Sequence, residues 1–156
     1  MKWYSTILLS ALSAFSAVNT VSAQTSFPMI THAYPVALQR GTTTEIAVDG
    51  QMNFAGAYKA LFEGAGLTAE VTSPPPVPGT VIKSVKMKVT VAKDAALGVR
   101  EFRIATSLGV SSVGQLLIVD DAVVMEKPAN NTAAQAQPVT LPCTLCLLYT
   151  SDAADE

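Results

Sequence analysis

The chain has 156 residues, of which 49% are hydrophobic, and it carries ten Lys and Arg against twelve Asp and Glu. This near-neutral balance excludes the electrostatic footprint that a nucleic acid or an anionic membrane surface requires. The length suits one domain with a short extension, large enough to build an apolar core without disulfides.

The first residues predict an export signal. Lys2 supplies a positive start, residues 7–18 form an apolar run, and residues 21–23 offer small side chains for cleavage after Ala23. A transmembrane anchor is the alternative, but the run is shorter than the roughly 20 residues that a bilayer needs, and no basic stop-transfer cluster follows. We therefore expect residues 1–23 to be a signal peptide and the protein to be exported, whether secreted, periplasmic or at the cell surface.

Alternating apolar and polar residues predict β-strands through the middle of the chain. The clearest run is residues 84–91, where four apolar side chains would share one face: Val85, Met87, Val89 and Val91. Residues 42–48 and 99–105 alternate in the same way, with Ile46, Val48, Phe102 and Ile104 predicted to face inward. Less regular apolar runs predict strands at residues 29–34, 57–62, 67–72 and 114–119.

Turn signals separate these runs. Residues 39–41 and 49–50 read as turns, and residues 73–79 hold four prolines, which exclude them from a central strand because proline lacks the ladder donor. About seven short strands divided in this way predict an all-β, immunoglobulin-like β-sandwich over residues 27–120.

The glycine and proline spacing of this region resembles a TIG-type immunoglobulin-like domain. Residues 30–35 and 39–50 resemble its opening, with a strand ending in proline, a glycine turn and a strand ending in glycine. Residues 94–104, the Gly109 turn and residues 114–119 resemble its closing hairpin. The resemblance implies an immunoglobulin-like sandwich.

The next segment resembles the start of a bacterial pre-peptidase C-terminal domain. Residues 126–132 and 136–142 contain the acidic residue, the proline-asparagine-asparagine stretch, the alanine-glutamine pair and the leucine-proline of that family, although Ala129 interrupts the pattern. We expect residues 121–145 to be a linker and the truncated start of such a domain. The family implies a secreted, often multidomain protein in which these domains accompany peptidases or other modules.

Residues 146–156 resemble a translated transposon-end sequencing adapter, because residues 146–155 follow the adapter codon by codon. The alternative is a natural polar tail. We expect an adapter-derived artefact, with natural sequence stopping near Leu145 inside a longer gene. The redox-like or metal-like spacing of Cys143 and Cys146 is then accidental, because Cys146 falls within the adapter.

The residues that could carry chemistry do not form a complete site. His32 is the only histidine, and no nucleophile-elbow motif accompanies it. Asp49, Asp120 and Asp121 could suggest calcium, but two adjacent carboxylates on a strand diverge. Residues 130–132 fit a glycosylation sequon but read more simply as a turn. We assign no catalytic, cofactor-binding or metal-binding residue and expect no cofactor.

The leading hypothesis is a non-catalytic interaction or spacer module at the N-terminus of a larger exported bacterial protein, with loops 50–57 and 73–80 offered to a partner. The alternative is an accessory N-terminal region of a secreted peptidase or other hydrolase whose catalytic domain lies beyond Leu145. An enzyme formed by residues 24–145 alone is the least favoured reading. Candidate partners are other domains of the same protein, a surface protein or a glycan. We expect no nucleic acid and no membrane span after signal cleavage.

Overall fold

The computed structural model describes residues 27–73, 80–128, 130 and 132–147. The predicted signal peptide and the last nine residues of the adapter-like tail lie outside this part of the chain. The strands of the described residues are β1 (Met29–Tyr34), β2 (Ala37–Gln39), β3 (Thr43–Gln51), β4 (Lys59–Phe62), β5 (Leu67–Val71), β6 (Ser84–Val91), β7 (Gly98–Thr106), β8 (Gly109–Val110), β9 (Gly114–Val119), β10 (Ala122–Met125) and β11 (Cys143–Cys146). A turn of 3-10 helix covers Ala133–Gln135, and no helix among the described residues is long and apolar enough to cross a membrane.

Nine of these strands build two sheets that face each other. The first sheet has the order β1-β3-β6-β5, and the second has the order β2-β9-β7-β4 with β8 beside β7. Neighbours are antiparallel except β2 and β9, which run parallel. The first order and the β9-β7-β4 part of the second match the two sheets of an immunoglobulin constant-type sandwich. The predicted all-β sandwich is therefore confirmed.

The core lies where the inward faces of the two sheets meet. Strand β6 alternates between exposed and buried side chains along its whole length, as its sequence predicts. The buried residues on this inward face of the first sheet include Ile46, Val48, Val85, Met87, Val89 and Val91. Phe102 and Ile104 of β7 are buried against them from the second sheet. Burying side chains of this size stabilises the fold by about 1.5–3 kcal/mol each.

Four strands were not predicted from the sequence. Strand β2 is too short to show a period, and it becomes a strand because it pairs with Leu117–Val119 of β9. Strand β8 lies in what was predicted as a turn. Beyond the sandwich, β10 pairs in parallel with β11, so part of the predicted linker region has regular structure.

Candidate functional site

Three connections meet at one end of the sandwich, which we call the loop pole (described residues 52–58, 80–83 and 107–113). The β3–β4 connection lies in the middle. The Phe54 N–H donates to the Ile82 carbonyl at 2.8 Å, on the β5–β6 side. On the β7–β9 side, the Ser107 hydroxyl donates to the Ala55 carbonyl at 2.9 Å. The three connections therefore form one continuous surface.

Two side chains of the β3–β4 connection, Asn53 and Phe54, hold this loop in place. The side-chain oxygen of Asn53 accepts hydrogen bonds from the N–H groups of Ala55, at 3.0 Å, and Ile82, at 2.9 Å. The Phe54 ring is only 1% exposed and lies against Gly50, where a Cβ atom would come within 2.6 Å of it. A buried anchor and a bridging amide of this kind fix a loop before any ligand arrives, which lowers the entropy cost of binding.

The outward side of the loop pole is apolar and poor in charge. Tyr58 is 69% exposed and Leu108 is 52% exposed, and Met52, Val81 and Val110 are also exposed. In the described residues of the loop pole, Lys83 is the one charged side chain. Aromatic and methionine enrichment with few charges is typical of the centre of a protein interface. The sequence predicted loops here but gave no signal that they converge.

The chain leaves the sandwich at the opposite end, which we call the exit pole (residues 39–42, 93–97 and 119–120). Strand β9 begins at Gly114, near the loop pole, and ends at Val119, whose carbonyl accepts from the Arg40 N–H at 2.9 Å. The Gln39 amide donates to the Asp120 carbonyl at 2.9 Å. The Arg40 guanidinium donates to the Asp120 carboxylate, from Nε to Oδ1 at 2.6 Å. These contacts fix the direction in which the chain departs.

The histidine and the first aspartate singled out in the sequence form a surface pair. His32 lies on the edge strand β1, and its Nε2 is 3.0 Å from Oδ2 of Asp49 on β3. The nearby Thr31 hydroxyl donates to the Asp49 carbonyl at 3.0 Å. Both side chains are exposed, by 63% and 40%. The Thr31 proton is engaged with the backbone, so the contact joins strands β1 and β3 and does not form the arrangement of a nucleophile and its base.

The other singled-out residues are not brought together. Asp49 pairs with His32, whereas Asp120 pairs with Arg40 at the exit pole. No group of three or more metal-ligating side chains occurs within the described residues. Cys143 and Cys146 are free thiols on the same strand, β11. Three residues of extended strand separate their Cα atoms by about 10 Å, too far for a disulfide.

Two further segments lie partly outside the described residues. Of the proline-rich stretch 73–79, the structure describes Ser73, whose hydroxyl oxygen accepts from the Lys86 N–H at 2.7 Å. Of the sequon 130–132, Asn131 is outside the described residues. The Thr132 hydroxyl donates to the Gln135 side-chain oxygen at 2.9 Å, at the start of the 3-10 turn.

A groove of about 830 Å³ runs beside the edge strand β1, and we call it the β1 groove. One wall is formed by five consecutive β1 residues, Ile30 to Tyr34, and the other includes Glu101, Val113, Gly114 and Gln115. Val36, Cys146 and Leu147 also line it. Burial raises the pKa of the Tyr34 phenol, and the nearby Cys146 thiol and Glu126 carboxyl raise it further because their negative charges oppose a phenolate.

Comparisons with known proteins leave the family open. No protein-family model matches this chain, and no curated protein matches it. Among solved structures, the chain is similar to the SGBP-B protein of the Bacteroides ovatus mixed-linkage glucan utilization locus, solved in complex with a mixed-linkage heptasaccharide. The two are 14% identical with a TM-score of 0.43, and the match covers 64% of this chain and 24% of that chain. This chain thus corresponds to about a quarter of the other protein's length.

Proposed function

We propose that this chain contributes a non-catalytic interaction or spacer module to an exported protein. The proposal depends on one observation, which is that the two ends of the sandwich differ in structure. One end presents a preorganised, apolar loop surface, and the other end clamps the departing chain through Arg40 and Asp120. A rigid body that separates a binding surface from the rest of a chain suits presentation or spacing.

The place where the chain enters the sandwich also supports this proposal. The Pro28 carbonyl accepts from the Ser112 N–H at 2.9 Å, so the chain enters the sandwich at the loop pole. The loop pole therefore lies at the end where the chain enters the sandwich, and the exit pole at the end where the chain leaves it. A partner bound at the loop pole would be separated by the length of the sandwich from any domain attached at the exit pole.

The test is binding of the full chain to a printed peptide array and a printed glycan array. The test variant carries Met52→Ser, Tyr58→Ser and Leu108→Ser at the loop pole. The control variant carries Leu61→Ser and Val99→Ser, which are also exposed but lie on the strands of the second sheet. We expect at least one class of array ligands to bind the control variant as it binds the native chain and to lose at least tenfold in affinity with the loop-pole variant.

Two results would overturn the proposed function. One is that every array ligand of the native chain binds the loop-pole variant as well as it binds the native chain. The other is turnover of an array peptide or glycan by the purified chain, which would make the module catalytic.

A further inference from the structure

Two strand edges face the β1 groove without a strand partner in the described part of the chain. Strand β1 is the first strand of its sheet, with β3 on its other side. The chain then crosses to the second sheet at Pro35, and β2 pairs with β9 only at Leu117–Val119. The earlier half of β9 and the outer edge of β1 therefore border the groove together. An unpaired edge is a template for another strand.

The backbone of Ala33 points into this groove. On β3, the Gly50 N–H donates to the Lys83 carbonyl on the β6 side at 2.9 Å. Because antiparallel ladders alternate, the backbone groups of Asp49 then point towards β1, where the partner is His32. The next β1 residue, Ala33, must direct its N–H and C=O away from β3. Ala33 lines the groove, so both groups face it.

The opposite wall of the β1 groove also presents backbone N–H and C=O groups that are unpaired within the described residues. The Leu117 N–H donates to the Val36 carbonyl at 2.8 Å, which fixes the side of β9 that its backbone faces. Gln115, two residues earlier, therefore points its backbone groups to the same side, and it also lines the groove. The backbone donors and acceptors on the two walls have the spacing of a β-strand. They therefore match the hydrogen-bonding groups of a polypeptide backbone better than they match those of a sugar ring.

We propose that the β1 groove binds an extended peptide, which adds a strand to the first sheet by pairing with β1 at Ala33. In the second sheet, the described residues of β2 cover the β9 edge only at Leu117–Val119, so the earlier part of that edge stays open beside the peptide. Five residues of β1 line the groove, but the Ile30 N–H already donates to the Ser112 hydroxyl at 2.8 Å, so the peptide pairs with the part of β1 that follows the bulge, at Ala33. Main-chain hydrogen bonds would supply affinity, and side-chain contacts would supply selectivity.

The side chains of the groove indicate the preferred peptide. Ile30 and Val113 give the walls apolar surface, which suits a β-branched residue on the peptide. Glu101 is exposed on the wall, and no ion pair between described residues uses its carboxylate. A lysine or arginine on the peptide would supply the complementary charge. The partner is therefore an extended segment of alternating β-branched residues with a basic residue near one end.

The test uses a seven-residue peptide with lysine at each end and alternating valine and threonine between them. The ¹⁵N-labelled full chain is titrated with this peptide, and the exchange rate of the Ala33 amide is measured. We expect that rate to fall at least tenfold at saturation. Ala33→Pro removes the donor on the free edge without touching the β1–β3 bonds, and it should weaken binding at least tenfold. Ala33→Ser keeps the donor and should bind as the native chain does.

A second test uses the native chain, so that the proposal can still be tested if Ala33→Pro does not fold. Two further peptides are N-methylated at the odd and at the even residues. Because successive N–H groups of a strand point to opposite sides, one of the two cannot donate to the edge and should bind the native chain at least tenfold more weakly. Equal binding of both methylated peptides and the unmethylated peptide would overturn the proposal. It would also be overturned by peptide-induced changes at β4 or β5 instead of the groove, or by a groove that takes cellohexaose and no peptide.

Discussion

Arg40 and Asp120, 80 residues apart, form a two-point ion pair in which the guanidinium donates to both carboxylate oxygens. The pair joins the turn after β2 to the residue that follows β9. The same guanidinium also donates to the Ala95 carbonyl at 3.3 Å. One side chain thus holds three segments of the exit pole, and it does so where the chain turns from the sandwich towards β10.

Replacing Arg40 by Lys should weaken the contacts that hold the chain where it leaves the sandwich after β9. A lysine keeps the charge but loses the planar, two-point geometry. Because the Asp120 side chain is 58% exposed, we expect the free energy of unfolding to fall by only about 0.5–1 kcal/mol. Amide exchange in Ala122–Met125 should accelerate. The control is Lys86→Ala, which removes an exposed ion pair with Glu45 at 3.9 Å and should change neither quantity.

Truncation of two adjacent residues of β6 should change the free energy of unfolding by very different amounts. Met87 is fully buried, whereas Lys88 is exposed on the other face. Met87→Ala should lower the free energy of unfolding by about 2–5 kcal/mol, and Lys88→Ala should change it by less than about 0.5 kcal/mol. Urea unfolding measures both values. Equal effects would mean that the alternation of β6 does not set the two faces of the sheet.

The loop pole depends on the ring of Phe54. Phe54→Ala should lower the free energy of unfolding by about 3–5 kcal/mol, because it removes a buried aromatic ring. It should also free the amides of Ala55 and Ile82, seen as faster hydrogen exchange. The neighbouring exposed residue supplies the control, since Met52→Ala should leave those two exchange rates unchanged. Unchanged rates in Phe54→Ala would show that the loop is held by something else.

Tyr34 should make the protein less stable in strong base. Its pKa in the folded state is raised above the usual value of 10.0. The unfolded chain therefore loses this proton first, and stability is lost as the pH rises from about 10 through the raised pKa. Tyr34→Phe should remove this part of the pH dependence between pH 9 and 11.5, measured by urea unfolding.

The cause of that raised pKa can be tested separately. Glu126→Gln and Cys146→Ser should each lower the Tyr34 pKa, because each removes a neighbouring negative charge. Glu70→Gln, on the far edge strand β5, should leave it unchanged. Ultraviolet titration of the phenol gives the value, and a Tyr34 pKa insensitive to both neighbours would leave burial as its sole cause.

The sequence predicted the parts of the fold that depend on local alternation. Strands β6 and β9 begin and end at the predicted residues, and Phe102 and Ile104 face inward as expected. Strand β2 was missed because three residues cannot show a period, and only its partner Leu117–Val119 makes it a strand.

The candidate site depends on contacts between distant segments, which a sequence pattern does not contain. The sequence predicts a turn at Asp49 and offers it as a calcium ligand, yet Asp49 lies within β3, and the β1–β3 register places it beside His32. Asp120 was grouped with it but belongs to Arg40 at the other end of the molecule. The convergence of the loops likewise depends on the bond between Phe54 and Ile82. The TIG-type and pre-peptidase C-terminal resemblances, the signal peptide and the adapter-derived tail remain predictions.

The most direct test of the two-ended module is a distance across its long axis. Spin labels are placed on Met52→Cys at the loop pole and Lys93→Cys at the exit pole, in a chain in which Cys143 and Cys146 are replaced by Ala. Strand β3 connects the two ends with nine residues, so a narrow distribution of distances near 30 Å is expected, from about 3.3 Å per residue. A broad distribution, or a separation below about 15 Å, would contradict a rigid body with its loops at one end and its exit at the other.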